Sequence, residues 1–290
     1  LLGGGLKYFT TGENKKLLSE AKKKGYRVVK NKKELAAVKS GRVLGLFSDT
    51  SMPMAVEMHR YPKLPTLTEQ TQKAVELLSQ NEDGFVLVVE AGKIDWAAHA
   101  HDAGAWFYEM KELDNLLQYV QAFADKNGET LVYLNADHDT GLGAFAYRHV
   151  GKQKAMQKTA QGEVLYGGDV DYASFNTFAQ LEKQQSSLYY LEEELKQLPA
   201  EKLTPAYLQK RFDEALGMKV DISKFDNLTD VSGLFEQLNE SRGLVWATPN
   251  HSSLAILSAA YGPQADEFAG VYHNTDILPR FKQALGWSDK

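Results

Sequence analysis

Two short stretches of this 290-residue chain set acids and histidines where they could hold a metal ion. In Val88-Val89-Glu90-Ala91-Gly92-Lys93-Ile94-Asp95-Trp96-Ala97-Ala98-His99 an apolar run ends in Glu90 and a glycine turn follows. Asp95 and His99 then stand four apart, on one face of a helical turn. In Leu134-Asn135-Ala136-Asp137-His138-Asp139-Thr140-Gly141 a second apolar run ends in an Asp-His pair before a glycine. Zinc takes imidazole nitrogen and carboxylate oxygen and prefers four ligands. Asp95 and His99 offer two to one ion, and Asp137 and His138 offer two to a second. Glu90, a carboxylate with no histidine beside it, better suits magnesium. Either cluster alone says little, because Asp-His is a common turn and a strand-end Glu is ordinarily solvated. Their occurrence at two successive strand ends is what points to a metal centre.

The elements around them fit that purpose. Glu13–Lys24 suits a helix closed by Gly25, Tyr26–Lys30 a short strand, Glu34–Lys39 a helical turn and Val43–Ser48 a buried strand. Short apolar runs between helices are the mark of a parallel sheet covered on both faces. Thr66-Leu67-Thr68-Glu69 is a capping box, and the helix after it is expected to bury Leu67, Ala74, Leu77 and Leu78 and stop near Gly84. Phe85–Val89 then reads as a strand, about Asp102–Lys126 as a long helix ended by Asn127-Gly128, and Thr130–Asn135 as the next strand. Such a unit predicts parallel strands with a right-handed crossover, and the carboxyl ends of neighbouring parallel strands are where α/β folds place ligand sites.

From about residue 151 to 242 the character changes. The stretch is rich in Gln, Lys and Glu, lacks a strong β-run and holds two expected helices, about Tyr172–Gln197 and Pro205–Leu216. It reads as an inserted helical region dividing an α/β core made of residues 1–150 and 243–290. The core resumes with Gly243–Ala247, Leu254–Ser258 and a last helix, about Thr275–Leu285, before Gly286.

Composition narrows the chemistry. There is no cysteine, which excludes thiolate zinc sites, cysteine nucleophiles and disulfides. A net charge of −5 without a basic stripe gives no footprint for nucleic acid. No apolar run is long enough to span a membrane. The lysines of Lys15–Lys33 sit among helix formers and read as a solvated face. Of the other histidines, His59 and His149 fall in polar connections, His101 points away from His99 on its helix, and His273 precedes the last helix in a structural setting.

Further segments carry a resemblance. Leu2-Gly3-Gly4-Gly5 with Lys7-Tyr8-Phe9, Leu44-Gly45-Leu46-Phe47-Ser48-Asp49, Pro65-Thr66-Leu67-Thr68-Glu69, the two metal motifs and Ala260-Tyr261-Gly262-Pro263 occur in this order. Together they resemble the bacterial alkaline phosphatase family, everywhere except Gly151–Glu240. Trp96 directly after Asp95, and the large insertion, are more similar to the marine Vibrio-type members than to the enteric one.

The resemblance implies a three-layer α/β sandwich with a mostly parallel sheet, incomplete here, with a helical crown or lid inserted. It implies two zinc ions and one magnesium ion: Asp95, His99 and His251 for one zinc, Asp137 and His138 for the other, Glu90 for magnesium. His251 in Asn250-His251-Ser252-Ser253 rests on the resemblance alone. Trp96 is implied beside the substrate's phosphate, with a tryptophan that merely covers the mouth of the sheet as the equal alternative. The implied reaction is two-metal hydrolysis of small phosphomonoesters through a phosphoserine, in a periplasmic or secreted protein, with a homodimer left open. No residue here matches the family's nucleophilic serine or phosphate-clamping arginine, so the chain reads as the carboxyl-terminal portion beginning mid-fold, and is expected to be inactive alone. The rivals are a metal-binding or assembly module without catalysis, and a phosphodiesterase-, sulfatase- or phosphoglycerate-mutase-type relative.

Overall fold

The computed structural model describes residues 1–149, 157–158, 160–161, 164–166, 170–172, 176–224 and 230–287. The first 80 residues wind α/β fashion: β1 (Leu2–Gly3), α1 (Leu17–Lys23), β2 (Arg27–Val29), α2 (Lys32–Ala36), β3 (Val43–Leu46) and α3 (Leu67–Leu78). The strands form a parallel sheet in the order β1-β3-β2, with Leu2 opposite Gly45 and Val28 opposite Leu44. All four residues of β3 are buried, as a strand with neighbours on both edges and cover on its faces requires. Val29, Leu35, Val38, Val43 and Phe47 form the core there.

The expected capping box closes α3. Thr66 Oγ1 accepts from Glu69 N at 3.2 Å and Glu69 Oε2 from Thr66 N at 3.1 Å. The buried stripe of α3 differs from the expected one: Gln70, Thr71, Lys73 and Val75 are buried, whereas Leu67, Ala74, Leu77 and Leu78 are only partly covered. Lys73 stays buried because its ammonium reaches the carbonyl of Val38 at 3.3 Å and the carboxylate of Glu76 at 2.5 Å.

Phe85–Val89 departs from expectation. It takes no strand pairing among the described residues, and Val86 and Val88 stand 71% and 87% exposed. An apolar run becomes a strand only where a neighbouring chain segment offers its N–H and C=O groups, and none of the described residues does. After this segment come α4 (Lys93–His99), α5 (Ala103–Asn127), β4 (Val132–Asn135) and β5 (Asp139–Thr140). Asp102 caps α5 by accepting from Ala105 N at 3.0 Å, and Gly128 ends it in the left-handed region at φ 70°.

The chain continues through β6 (Ala144–Phe145), β7 (Tyr147–His149), β8 (Gln157–Lys158), β9 (Val164–Tyr166) and β10 (Val170–Tyr172), with antiparallel pairs β8–β9 and β7–β10 where no strong β-run was read. Part of the 151–242 stretch lies outside the described residues. The expected helix 172–197 is two helices, α6 (Asn176–Leu181) and α7 (Leu188–Lys196). The break is made by side chains that cap and anchor: Ser187 Oγ accepts from Tyr190 N, and buried Gln184 Nε2 donates to Asp102 Oδ1 at 2.6 Å. Then follow α8 (Pro205–Leu216), with Thr204 as cap and Pro205 in its first turn as expected, and α9 (Val231–Ser241). Leu191, Leu208, Phe212, Leu216, Leu234 and Phe235 bind α7, α8 and α9 into one apolar cluster.

The remainder is β11 (Leu244–Val245), β12 (His251–Ser252), β13 (Ser258–Tyr261) and α10 (Ile277–Ala284). β13 pairs antiparallel with β4, Ser258 opposite Asn135 and Tyr261 opposite Val132. The pairing falls C-terminal to the expected strand Leu254–Ser258, leaving Leu257 93% exposed.

Candidate metal centre

Three pieces of chain meet at the centre. The turn at Ala91-Gly92 starts α4, and one helical turn brings His99 Nε2 to 3.3 Å from Asp95 Oδ1. The antiparallel pair β5–β12 sets His251 opposite Thr140, and His138 enters just ahead of β5. Gly141, at φ 80°, lets the chain turn away closely over Trp246, whose ring atom Cδ1 would lie 2.6 Å from any Cβ there.

The side chains converge. His251 Nε2 lies 3.0 Å from His99 Nε2 and 3.7 Å from Asp95 Oδ1. The rings of His138 and His251 stack with centroids 3.5 Å apart. Asp95, His138 and His251 each present a ligand atom within 4.8 Å of the others. Asp95 and His251 are thus shared by two overlapping sets, one completed by His99 and one by His138.

Hydrogen bonds outside the centre fix which nitrogens look inward. His99 Nδ1 donates to the Pro249 carbonyl at 2.5 Å, which leaves the Nε2 lone pair facing Asp95 and His251. Thr140 Oγ1 donates to Asp95 Oδ1 at 2.6 Å and lies 3.2 Å from His138 Nδ1. Beside them, Ser252 Oγ donates to Asp139 Oδ2 at 2.6 Å, tying β12 to β5. Two imidazole lone pairs and a carboxylate do not converge on empty space without cost; they need a shared proton or a cation. Tetrahedral zinc with arms of about 2.0–2.1 Å sets its ligand atoms about 3.3 Å apart. The three separations among Asp95, His99 and His251 bracket that value, and Asp137 Oδ2 to His138 Nε2, at 3.2 Å, matches it. The donor set therefore fits zinc. Side-chain exposures of 28–51% for His99, His138 and His251 keep the centre open to solvent.

Of the residues named from sequence, Asp95, His99, His138 and His251 come together. Asp137 joins only through His138 and is otherwise turned outward, 87% exposed. Glu90 is exposed and is not part of the group. Trp96 lies round the helix, with Lys93 Nζ 3.4 Å above its ring and Tyr189 edge-on at 6.0 Å. With Phe47, Tyr61 and Tyr190, these side chains line a cavity of about 980 Å³. Burial lowers the Lys93 ammonium to about 8 and raises the Glu57 carboxyl to about 7 in this lining, and it raises the Glu109 carboxyl on α5 to about 7. Thr140 was not picked out from the sequence. Its signal was the two-residue alternation of a strand, which puts positions 138 and 140 on one face.

The profile of the alkaline phosphatase family matches residues 1–287, and the chain belongs to that family. It is 30% identical over its whole length to alkaline phosphatase 3 of Bacillus subtilis, covering 58% of that protein. Alkaline phosphatase 4 of the same organism is also 30% identical, over 95% of this chain and 55% of its own length. The chain thus spans somewhat over half the length of these relatives. Among solved structures, the cold-active alkaline phosphatase of a psychrophilic Shewanella superposes with a TM-score of 0.76 at 26% identity, over 98% of this chain and 65% of that one. The Thermus thermophilus alkaline phosphatase superposes with a TM-score of 0.81 at 24% identity, over 100% of this chain and 63% of that one, a likeness of fold. The fold is accordingly the α/β fold of this family.

Proposed function

We propose that this chain is the zinc-ligand-bearing part of an enzyme that hydrolyses phosphate monoesters. The observation that carries the reading is the convergence of Asp95, His99 and His251 at separations of 3.0–3.7 Å. When bound, zinc supplies concentrated positive charge to the oxygens that enter and leave the phosphorus in an in-line displacement. This chain's own residues do the rest of the holding. Asp95 balances that charge, with its carboxylate steadied by Thr140, and His99 is kept in the tautomer that offers Nε2 by the Pro249 carbonyl. His251 is held in register by the β5–β12 ladder. Asp137 and His138 are assigned to a second zinc and Glu90 to magnesium, each completed by ligands from residues outside these 290. The nucleophilic serine, which forms the phosphoserine, is likewise assigned to those residues, and the whole protein to an exported compartment.

Residues 151–242 are proposed as a lid beside the substrate. Tyr189 of α7 lies against Trp96, on the helix that also carries Asp95 and His99. The test is hydrolysis of p-nitrophenyl phosphate by this chain alone and within a polypeptide that supplies the family's amino-terminal part. Background turnover alone and metal-dependent turnover in the longer protein, abolished by His251→Ala, are expected. Robust turnover by the 290 residues alone, or an active His251→Ala enzyme, overturns the reading.

A further inference from the structure

His101 points away from the centre, yet it grips the parts that build it. Its backbone sits at φ 49°, a left-handed conformation uncommon outside glycine, though histidine adopts it more readily than most residues. Its ring is buried, 8% exposed, and stacks on Trp246 with centroids 5.4 Å apart and planes 15° from parallel. Both ring nitrogens face acceptors: Nδ1 lies 2.9 Å from Glu236 Oε1 on α9, and Nε2 lies 3.1 Å from the Thr248 carbonyl. A carbonyl only accepts, so Nε2 donates to it. The carbonyl of His101 itself accepts from Asn239 Nδ2, also on α9.

Thr248 is the residue before Pro249, whose carbonyl orients His99, and three before His251. One side chain therefore spans the end of α4, the loop that delivers His251 and a helix of the inserted region. An imidazole packed flat on an indole and bonded at both ends has little freedom to let these three parts drift. A non-glycine residue stays in the left-handed backbone where its surroundings over-determine it, and this side chain's bonds are such surroundings.

We propose that His101 is a positioning residue for the metal centre, and that α9 is part of the centre's support through it. The pull on Thr248 sets the height of the 248–250 loop against α4, and with it the meeting of His99 Nε2 and His251 Nε2. The inference rests on the zinc reading of Asp95, His99 and His251.

The experiment uses the 290-residue chain, zinc competition against a chromophoric chelator, and imidazole nitrogen NMR of the metal-free protein. His101→Asn keeps a residue that tolerates the left-handed backbone but is too short to bridge both acceptors. It is expected to weaken zinc binding about tenfold, the low end of what losing an outer partner costs, and to move the signals of both His99 and His251. Glu236→Gln, which keeps an acceptor, should match the unaltered protein, and Glu236→Ala should fall between. If His101→Asn fails to fold, Glu236→Ala carries the test, since the Glu236 side chain is 58% exposed. Unchanged zinc affinity and unchanged imidazole signals, whatever happens to thermal stability, overturn the proposal. If the unaltered chain binds no zinc, the metal reading fails, and the His99 and His251 signals alone decide the positioning role.

Discussion

Helices α7–α9 and the segment Phe85–Gly92 stand at opposite ends of the molecule's range of burial. In the helices, Leu191, Phe212, Ala215 and Leu216 are 0% exposed, whereas Val86, Val88 and, further along, Leu257 and Val271 lie 71–102% exposed. The helices bury their apolar stripe against one another, a transaction complete within about 50 residues of sequence. The open segment has the composition of a strand's interior but no ladder partner among the described residues. Packing quality and imidazole content are thus distributed inversely: the well-buried helices carry carboxylates but no histidine, and the candidate ligands sit beside the open stretch. A region can be self-sufficient in packing and reach the centre through single contacts, as α9 does through His101, or be chemically distinctive and dependent on neighbours.

Substitutions that touch the two regions should separate stability from metal binding. Phe212→Ala empties the middle of the helical cluster and should cost about 3–5 kcal/mol of unfolding free energy, while leaving zinc affinity within about twofold in the still-folded protein. Urea titration alongside chelator competition measures both. A parallel collapse of zinc binding would show that the regions are not separable.

Glu57 probes how the helices are joined to the α/β core, since its buried carboxylate accepts from the backbone N–H of Ser187 at the start of α7. Desolvation holds it at about 7 in the folded chain against an ordinary 4.5. Between those values the folded state binds the extra proton, so stability declines as pH rises through this window and levels off above it. Glu57→Gln does not titrate and keeps an acceptor for Ser187. Its stability relative to the unaltered protein should therefore improve from pH 5 to pH 8, by at most about 3 kcal/mol. A stability difference that stays flat across this range would contradict the assignment of the burial cost to Glu57.

Thr140→Val keeps shape and removes the hydroxyl that steadies Asp95. Zinc affinity should fall about tenfold with little change in unfolding free energy, and an unchanged affinity would leave Asp95 orientation to the helix alone. Least affected should be Val88→Ser: an exposed position changes stability by less than about 0.5 kcal/mol. A loss of several kcal/mol in denaturant titration would mean that Val88 is covered in solution.

The same contrast governs what the sequence made legible. Helix starts were readable because their signals are local: Thr66 with Glu69, and Thr204 with Pro205, cap with atoms three residues away. Asp95 and His99 were readable for the same reason, since one helical turn brings them together wherever the helix sits. Strands were read less well because pairing is a property of two segments. Phe85–Val89 has the pattern and no partner among the described residues, and β13 pairs three to four residues beyond the run that suggested it. His251 could not be reached by spacing, for only the β5–β12 register, 111 positions along, brings it opposite Thr140. Resemblance supplied it. Thr140 was within reach of strand alternation, and the His101 grip was not, because its partners Glu236 and Thr248 are set by tertiary packing.

The function proposed for the centre rests on the metal. The direct measurement is zinc X-ray absorption of the 290-residue chain loaded with one equivalent of zinc, with His251→Ala alongside. Zinc held by Asp95, His99 and His251 should show neighbouring atoms of nitrogen and oxygen only, at about 2.0–2.1 Å, with two imidazoles contributing and one lost in the variant. Neighbouring atoms unchanged by His251→Ala, or no zinc retained by the unaltered chain after buffer exchange, would contradict that assignment.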